Sequence, residues 1–179
     1  MKELSLNILD ITENSVKAGA TLTQVLLEEN PQTLTLTIKD DGCGMSREIV
    51  ESVVNPFYTT RTTRNVGLGI PLLKMAAEQT GGSIDIVSDT SADNHGTTVV
   101  ATFNKNHLDF TPLGDVVASI VTLIQGHPDT DFLFRHTKDN SEILLDTREL
   151  RAVLEGVPLD TYEVIKWIEE NLTEQYNQF

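Results

Sequence analysis

The stretch Ile38-Lys39-Asp40-Asp41-Gly42-Cys43-Gly44-Met45 decides how the rest of this chain is interpreted. It continues an alternating run over residues 33–38, which predicts a half-buried strand. Glycines at the strand's end allow a turn with positive φ and the close approach of a flat ligand. The preceding aspartate can then accept a hydrogen bond from an exocyclic amine in an apolar pocket. An Asp-Gly pair after a strand is also an ordinary hairpin signal, so both interpretations stay open on this stretch alone.

Composition and charge narrow the class of protein. The chain has 179 residues and a net charge of −14, which fits one globular domain with a smaller appendage and disfavours nucleic acid or anionic membranes as partners. No apolar run reaches membrane-spanning length, and the pattern of the first residues leads us to expect no secretory signal. The single cysteine, Cys43, excludes an intrachain disulfide and fits a reducing cytoplasm.

Residues 4–18 predict a helix with Leu4, Ile8 and Ile11 on its buried stripe. Asp10 and Asn14 lie four residues apart and therefore share one face of that helix. A carboxylate and a carboxamide one turn apart can hold a hydrated Mg²⁺ and position a water molecule, but they also suit a solvated helix face. A first strand, about residues 24–28, is expected to follow.

A basic segment comes after the aspartate–glycine turn. Between residues 52 and 77 there are three basic residues (Arg61, Arg64 and Lys74) and no acidic one. A short helix that Ser46 can cap leads into a hydroxyl-rich loop, and Gly67-Leu68-Gly69 opens a further helix to residue 79. Backbone amides at a glycine-rich helix start form a phosphate cradle, so we interpret this segment as facing an anion. Strands at residues 84–88 and 96–103 follow, with Thr97 at the start of the second.

These elements, in this order, resemble the GHKL (Bergerat-fold) ATP-binding domain of histidine kinases, DNA gyrase B, mismatch-repair ATPases and the ninety-kilodalton heat-shock chaperone. The resemblance covers about residues 4–104. The helix over residues 10–20, which begins Asp10-Ile11-Thr12-Glu13-Asn14, is similar to the family's N box. The Asp40 stretch is similar to its adenine-recognition box, Pro56-Phe57 to the kinase F box, and Gly67-Leu68-Gly69 to the second glycine box. The segments Gly81-Gly82-Ser83-Ile84 and Gly96-Thr97 are similar to the part that closes the histidine-kinase domain.

The resemblance implies an α/β fold, namely a two-layer α/β sandwich with a mixed sheet and helices on one face, and it implies ATP and Mg²⁺ as cofactors. Asn14 matches the Mg²⁺-binding asparagine and Asp40 the aspartate that recognises the adenine amine. The further nucleotide contacts it implies are Lys17, Gly42, Gly44, Met45, Phe57, Arg61, Gly67, Leu68, Gly69 and Thr97. Asp10 stands where hydrolysing members carry a glutamate general base, and its side chain is one methylene shorter.

Residues 105–179 carry no family signature and are acidic, with a net charge of −8. Their pattern predicts a small αββα-like α+β extension that buries its own apolar stripe, with a helix over residues 112–125, two short strands, and helices near residues 147–154 and 162–172. His127 is expected in a turn and Trp167 in packing. We interpret the extension as a protein-binding or dimerising module.

Two functions remain open at this point. The first is an ATPase or protein kinase of signal transduction, which either hydrolyses ATP with Asp10 as base or transfers phosphate to a partner. The second is a non-catalytic regulator in which the hydroxyl-rich loop before Gly67 acts as a lid that orders when ATP binds. A fragment similar to mismatch-repair proteins is disfavoured by the acidic charge. Only a few residues precede the first helix and all four histidines follow the loop, so we expect neither a complete histidine kinase nor autophosphorylation on histidine.

Overall fold

The computed structural model of the chain describes residues 3–54 and 68–179. Its elements are α1 (Leu4–Lys17), β1 (Leu22–Glu29), β2 (Thr33–Asp40), α2 (Arg47–Val54), α3 (Gly69–Gln79), β3 (Ser83–Asp89), β4 (Gly96–Asn104), α4 (Val116–Gly126), β5 (Asp131–Lys138), β6 (Ser141–Asp146), α5 (Thr147–Leu154) and α6 (Tyr162–Asn177). Each helix and strand predicted from the sequence is present, with ends shifted by a few residues.

The strands form one six-stranded sheet in the order β3-β4-β2-β1-β5-β6. The pairing of β1 with β5 is parallel, and the other four pairs are antiparallel. In β1 and β2 every second side chain is buried, as the alternating sequence predicts. The sheet is therefore mixed and carries its core on one face.

One cluster of buried side chains covers that face. Helices α1, α2, α3, α4 and α6 each contribute buried residues to it, and Leu150 and Leu154 of α5 pack against it. The largest fully buried side chains include Phe103, Phe132 and Phe134 from the strands and Leu4, Ile8 and Leu73 from the helices. The predicted α/β class, a two-layer sandwich with helices on one face of a mixed sheet, is confirmed.

Residues 105–179 differ from the prediction of an extension with its own core. Strand β5 pairs along its whole length with β1, from Leu22↔Asp131 to Glu29↔Lys138. Helix α4 packs between α1 and α6, and its buried residues belong to the common cluster. The extension therefore continues the sheet past β1, because β5 offers a strand with Phe132 and Phe134 on the core side. The sheet and the core cluster both continue across residue 104, where the sequence pattern places the boundary between the ATP-binding domain and the extension.

A polar cluster lies near the C-terminal ends of the paired strands β1 and β5. The ring of His136 on β5 is buried, with Nε2 2.9 Å from Glu29 Oε1 and Nδ1 2.8 Å from the Tyr176 hydroxyl. Lys105 Nζ binds the other Glu29 oxygen at 2.6 Å. Burial lowers the pKa of His136, although Glu29 opposes that shift. The cluster therefore joins α6 to the centre of the sheet through a neutral imidazole.

None of the helices in the described parts of the chain has the length and apolar character needed to cross a membrane.

Candidate functional site

A cavity of about 410 Å³ opens where β2 ends and β4 begins, between α1 and α3. Ile11, Ile38, Ile70 and Val99 give it apolar walls, and Asp40 and Thr97 are polar groups at its sheet side. The other lining residues are Asn14, Ser15, Lys17, Ala18, Cys43, Gly44, Met45 and Ile49. An apolar cleft with a few fixed polar groups is the usual form of a site for a flat organic ligand.

Among the described residues, three hydrogen-bond donors hold the carboxylate of Asp40. Its Oδ1 accepts from the backbone N–H of Gly42 at 2.9 Å and of Thr97 at 3.1 Å. Its Oδ2 accepts from the Ser15 hydroxyl at 2.6 Å. A carboxylate has about four acceptor positions, so the donors of residues 3–54 and 68–179 leave one position of Asp40 for a ligand that donates. These donors also fix the side chain before any ligand arrives.

The turn after Asp40 needs glycine at position 44. Gly44 has φ +72°, and a Cβ placed there would lie 1.8 Å from the carbonyl oxygen of Asp89. The next residue, Met45, donates its N–H to Ser88 Oγ at 2.7 Å, and Ser88 Oγ is 2.8 Å from Thr97 Oγ1. The turn is thereby fastened to the ends of β3 and β4. Asp41 points the other way and accepts from the N–H groups of Thr21 and Leu22, so it holds the turn to β1.

Asp10 and Asn14 lie one turn apart on α1, as predicted, near the first turn of α3. A Cβ on Gly69 would lie 3.2 Å from the Cβ of Asp10, so glycine lets α3 begin close against α1. Asn14 lines the cavity, and Asp10 is exposed beside the start of α3. A helix N-terminus carries free N–H groups and a partial positive charge. Asn14 lines this end of the cavity, whereas Asp10 lies outside the lining, beside the N-terminus of α3.

The structure brings together most of the predicted nucleotide contacts. Asn14, Lys17, Asp40, Gly44, Met45 and Thr97 line the cavity, and Gly42 binds the Asp40 carboxylate. Gly69 begins α3, and Leu68 precedes it as an exposed residue. The predicted contacts Phe57, Arg61 and Gly67 lie outside the described residues.

Two serines of the site were missed in the sequence interpretation. Ser15 binds Asp40, and Ser88 connects Met45 to Thr97. Ser15 did leave a signal, because it continues the buried stripe of Ile8 and Ile11 at four-residue spacing. A hydroxyl at such a position requires a partner.

The donor set near Asn14 fits a metal that arrives with its ligand. Over residues 3–54 and 68–179, no group of three or more His, Cys, Asp and Glu side chains is arranged to hold a metal ion. Mg²⁺ usually binds proteins through one or two oxygen ligands and completes its shell with phosphate and water. Asn14 carries a carboxamide oxygen at the cavity wall that would suit this role.

Comparisons with known proteins agree with this geometry. Residues 2–107 match the family model described as "Histidine kinase-, DNA gyrase B-, and HSP90-like ATPase". The heme sensor protein HssS of Staphylococcus saprophyticus is 35% identical over 99 residues, which is 54% of this chain and 21% of that protein. The sensor protein SrrB of Staphylococcus aureus is 32% identical over 110 residues, or 59% of this chain and 18% of that one. The chain thus spans about a fifth of the length of these curated relatives.

Two solved structures share the fold. The N-terminal domain of a DNA repair protein superposes with a TM-score of 0.59 at 13% identity, covering 82% of this chain and 53% of that one. The MutL ATPase domain of Aquifex aeolicus, complexed with ADP, superposes with a TM-score of 0.53 at 17% identity, covering 87% of this chain and 70% of that one.

Proposed function

From the premise that this chain belongs to the histidine kinase-, DNA gyrase B- and HSP90-like ATPase family and is a histidine-kinase-like ATP-binding module, we propose that it is an ATPase. Asp40 selects adenine, Asn14 holds the metal of Mg·ATP, and Asp10 activates the attacking water. The observation that carries the proposal is the Asp40 carboxylate, fixed by three donors at the wall of an apolar cavity with one acceptor position left.

The adenine end of the proposal rests on hydrogen-bond polarity. The exocyclic amine of adenine donates, and the remaining acceptor position of Asp40 receives that bond. Guanine carries a carbonyl at the same ring position, so its oxygen would face a carboxylate. The apolar side chains of Ile38, Ile70 and Val99 line the cavity and provide surface for the faces of the base. Base selection therefore follows from one charged acceptor in an apolar setting.

The phosphate part of the proposal depends on the close approach of α1 and α3. Phosphate oxygens beside the first turn of α3 would accept hydrogen bonds from its free N–H groups. When bound, Mg²⁺ neutralises phosphate charge, and Asn14 is the residue of this chain that fits it. Lys17, the last residue of α1, adds a positive side chain to the cavity lining.

Asp10 carries the chemistry in this proposal. Its carboxylate takes a proton from water as the water oxygen attacks the γ-phosphorus. The bond from phosphorus to the β,γ-bridging oxygen breaks, and its electron pair leaves with ADP. Asp10 is exposed and close to Gly69, so a water molecule can reach both the carboxylate and the phosphate end of the cavity.

Labelled ATP distinguishes the outcomes. Incubation of the full chain with γ-labelled ATP and Mg²⁺ should release inorganic phosphate slowly and leave no label on the protein. Transfer of label to a protein added from lysate would make the chain a kinase. Bound ATP that is neither hydrolysed nor transferred would make it an ATP-gated regulator and would contradict the ATPase proposal.

Binding is measured separately from turnover in the same samples. Cys43 is exposed and lines the cavity, and the chain has no other cysteine. ATP should therefore slow alkylation of Cys43 by iodoacetamide, whereas GTP should not. Unchanged alkylation at saturating ATP would argue against nucleotide binding in this cavity.

A further inference from the structure

A second concave surface lies on the extension, away from the nucleotide cavity. Six residues line it: Leu150, Val153 and Leu154 of α5, and Glu163, Val164 and Trp167 of α6. We call it the α5–α6 groove. Its volume is about 500 Å³, and five of its six lining residues are apolar. Nothing in the proposed ATPase chemistry uses it.

Helix α5 leaves part of its apolar stripe uncovered. Leu150, Val153 and Leu154 follow helical spacing, and Leu150 and Leu154 are half-buried against the core cluster. Thr147 is the only fully buried residue of this helix. Val153 is 81% exposed, and Trp167 across the groove is 49% exposed. Tyr162 at the start of α6 and Val157 in the loop before it are also exposed, although neither lines the groove. Contiguous exposed apolar surface, such as the lining of this groove, is a mark of interaction sites.

Hydrogen bonds and ion pairs hold helix α5, one side of the groove, against the neighbouring strands. Asp146 caps α5 by accepting from the N–H of Arg148, and it also pairs with the Arg148 side chain. Arg151 Nε binds Asp131 Oδ1 at 2.7 Å, and the same guanidinium donates to the carbonyl of Pro128. These bonds fix both arginines of α5 to β5, β6 and the loop before β5. The groove is thus preformed, and both α5 cations are already paired.

The surroundings of the groove are acidic. Residues 147–177 contain seven acidic and three basic residues. Two of the basic residues are the paired arginines, and the third, Lys166, lies 3.8 Å from Glu170. Glu163 lines the groove itself, and Glu149 and Glu155 flank the apolar residues of α5 as exposed side chains. An apolar floor with an acidic rim is complementary to an apolar face flanked by cations.

We propose that the α5–α6 groove binds a basic amphipathic helix of a partner protein. Apolar side chains at i, i+3, i+4 and i+7 of that helix occupy the groove beside Val153 and Trp167, and its lysines or arginines meet Glu149, Glu155 and Glu163. A second copy of this chain is a poor occupant, because the acidic rims of two copies would face each other in a molecule of net charge −14.

The test uses a model peptide of about 18 residues, or roughly five helical turns, with capped ends, leucines at i, i+3, i+4 and i+7 and lysines elsewhere. Trp167 is the only tryptophan, so its fluorescence reports on the groove without a label. We expect a blue shift on saturation by the leucine–lysine peptide. A leucine–glutamate peptide of the same pattern and a scrambled leucine–lysine peptide are the controls, and neither should shift the emission.

Two matched variants separate groove binding from charge attraction. Val153→Asp should weaken binding of the leucine–lysine peptide about tenfold or more, although it adds a negative charge. Leu108→Asp adds the same charge at a residue that is 97% exposed outside the groove, and it should leave binding unchanged. Glu163→Gln should weaken binding a few-fold and reduce its salt dependence. Melting temperatures and ATP binding should match the wild type in all three, so the groove is tested independently of the ATPase proposal.

Several results would overturn the proposal. One is an unshifted Trp167 emission, and another is equal binding by the Val153→Asp and Leu108→Asp variants. A response to the leucine–glutamate peptide would remove the charge argument. A dimer in analytical ultracentrifugation that Val153→Asp converts to monomer would assign the groove to a second copy instead.

Discussion

Replacing Asp40 with asparagine tests the adenine assignment with almost no change in shape. In the wild type, Oδ1 accepts from the N–H groups of Gly42 and Thr97, and Oδ2 accepts from the Ser15 hydroxyl. An asparagine must keep its carbonyl oxygen toward the two backbone donors. Its amino group then takes the place of Oδ2, where the Ser15 oxygen can accept from it. The cavity would now present a donor where adenine also presents a donor.

The size of the effect follows from the bond that is lost. A hydrogen bond to a charged group contributes about 1.5–3 kcal/mol, and 1.4 kcal/mol corresponds to a tenfold change in Kd. Asp40→Asn should therefore weaken ATP binding roughly 10- to 100-fold. The carbonyl of guanine can accept from the new amino group, so GTP binding should not fall and the preference for ATP should narrow by about the same factor. Asp40→Ala should weaken ATP binding similarly without this gain for GTP.

Isothermal titration calorimetry with Mg·ATP and Mg·GTP measures both constants. Asp41→Asn is the matched control, because Asp41 binds Thr21 and Leu22 on the other side of the turn. Asp41→Asn should lower the melting temperature and leave the ratio of the two dissociation constants nearly unchanged. Equal wild-type affinities for ATP and GTP, or an unchanged ratio in a folded Asp40→Asn variant, would refute the assignment of Asp40 to the adenine amine.

Three further predictions test the rest of the site and the fold. Asp10→Asn should leave the Kd for ATP nearly unchanged and lower steady-state phosphate release about 10²- to 10⁴-fold, whereas Asn14→Ala should weaken Mg²⁺-dependent binding; turnover that survives Asp10→Asn would remove Asp10 from the chemistry. Gly44→Ala should lower the free energy of unfolding in urea by clearly more than Gly81→Ala. Both residues have positive φ, which costs an alanine about 1–2 kcal/mol, but of the two only Gly44 has a backbone atom within contact distance of an added Cβ. Equal losses would show that the turn at Gly44 can shift to make room for the methyl group. Burial lowers the pKa of His136 below its unfolded value of about 6.5, so the unfolded state binds a proton more readily than the folded state. The free energy of unfolding should therefore fall as the pH drops below about 6.5, and urea titrations between about pH 5 and 7 should show a shallower fall in His136→Gln. An identical pH dependence in the variant would exclude His136 as the source of the fall.

Much of the nucleotide half could be predicted because its signals are local. The alternation of residues 33–38, the stripe of Leu4, Ile8 and Ile11, and the glycines around positions 42 and 69 each determine a nearby element. Their order then matched a known family, which placed Asp40 and Asn14 in one site. The Ser15 contact crosses 25 residues of sequence and depends on how α1 lies on β2. Periodicity indicates that Ser15 is buried, but it does not identify Asp40 as the partner of its hydroxyl.

The extension could be predicted only in its elements. Its strands and helices are where the sequence places them, but the pattern of β5 does not say which strand it pairs with. The structure places it beside β1, outside the range of the family match that ends at residue 107. Trp167 shows a similar limit. Val164, Ile168 and Leu172 form the buried stripe of α6, and Trp167 lies beside that stripe at the groove rather than in the core.

The parallel pairing of β1 with β5 has a consequence for how the chain acquires its structure during synthesis. β1 can pair with β2 as soon as both have left the ribosome, but its other edge has to wait for residues 131–138. Until then the nascent chain presents an unpaired strand edge, which is a template for association with other chains. Contacts between residues so distant in sequence also close slowly. The acidic segment that completes the sheet thus ends the period in which the emerging nucleotide domain is most exposed to aggregation.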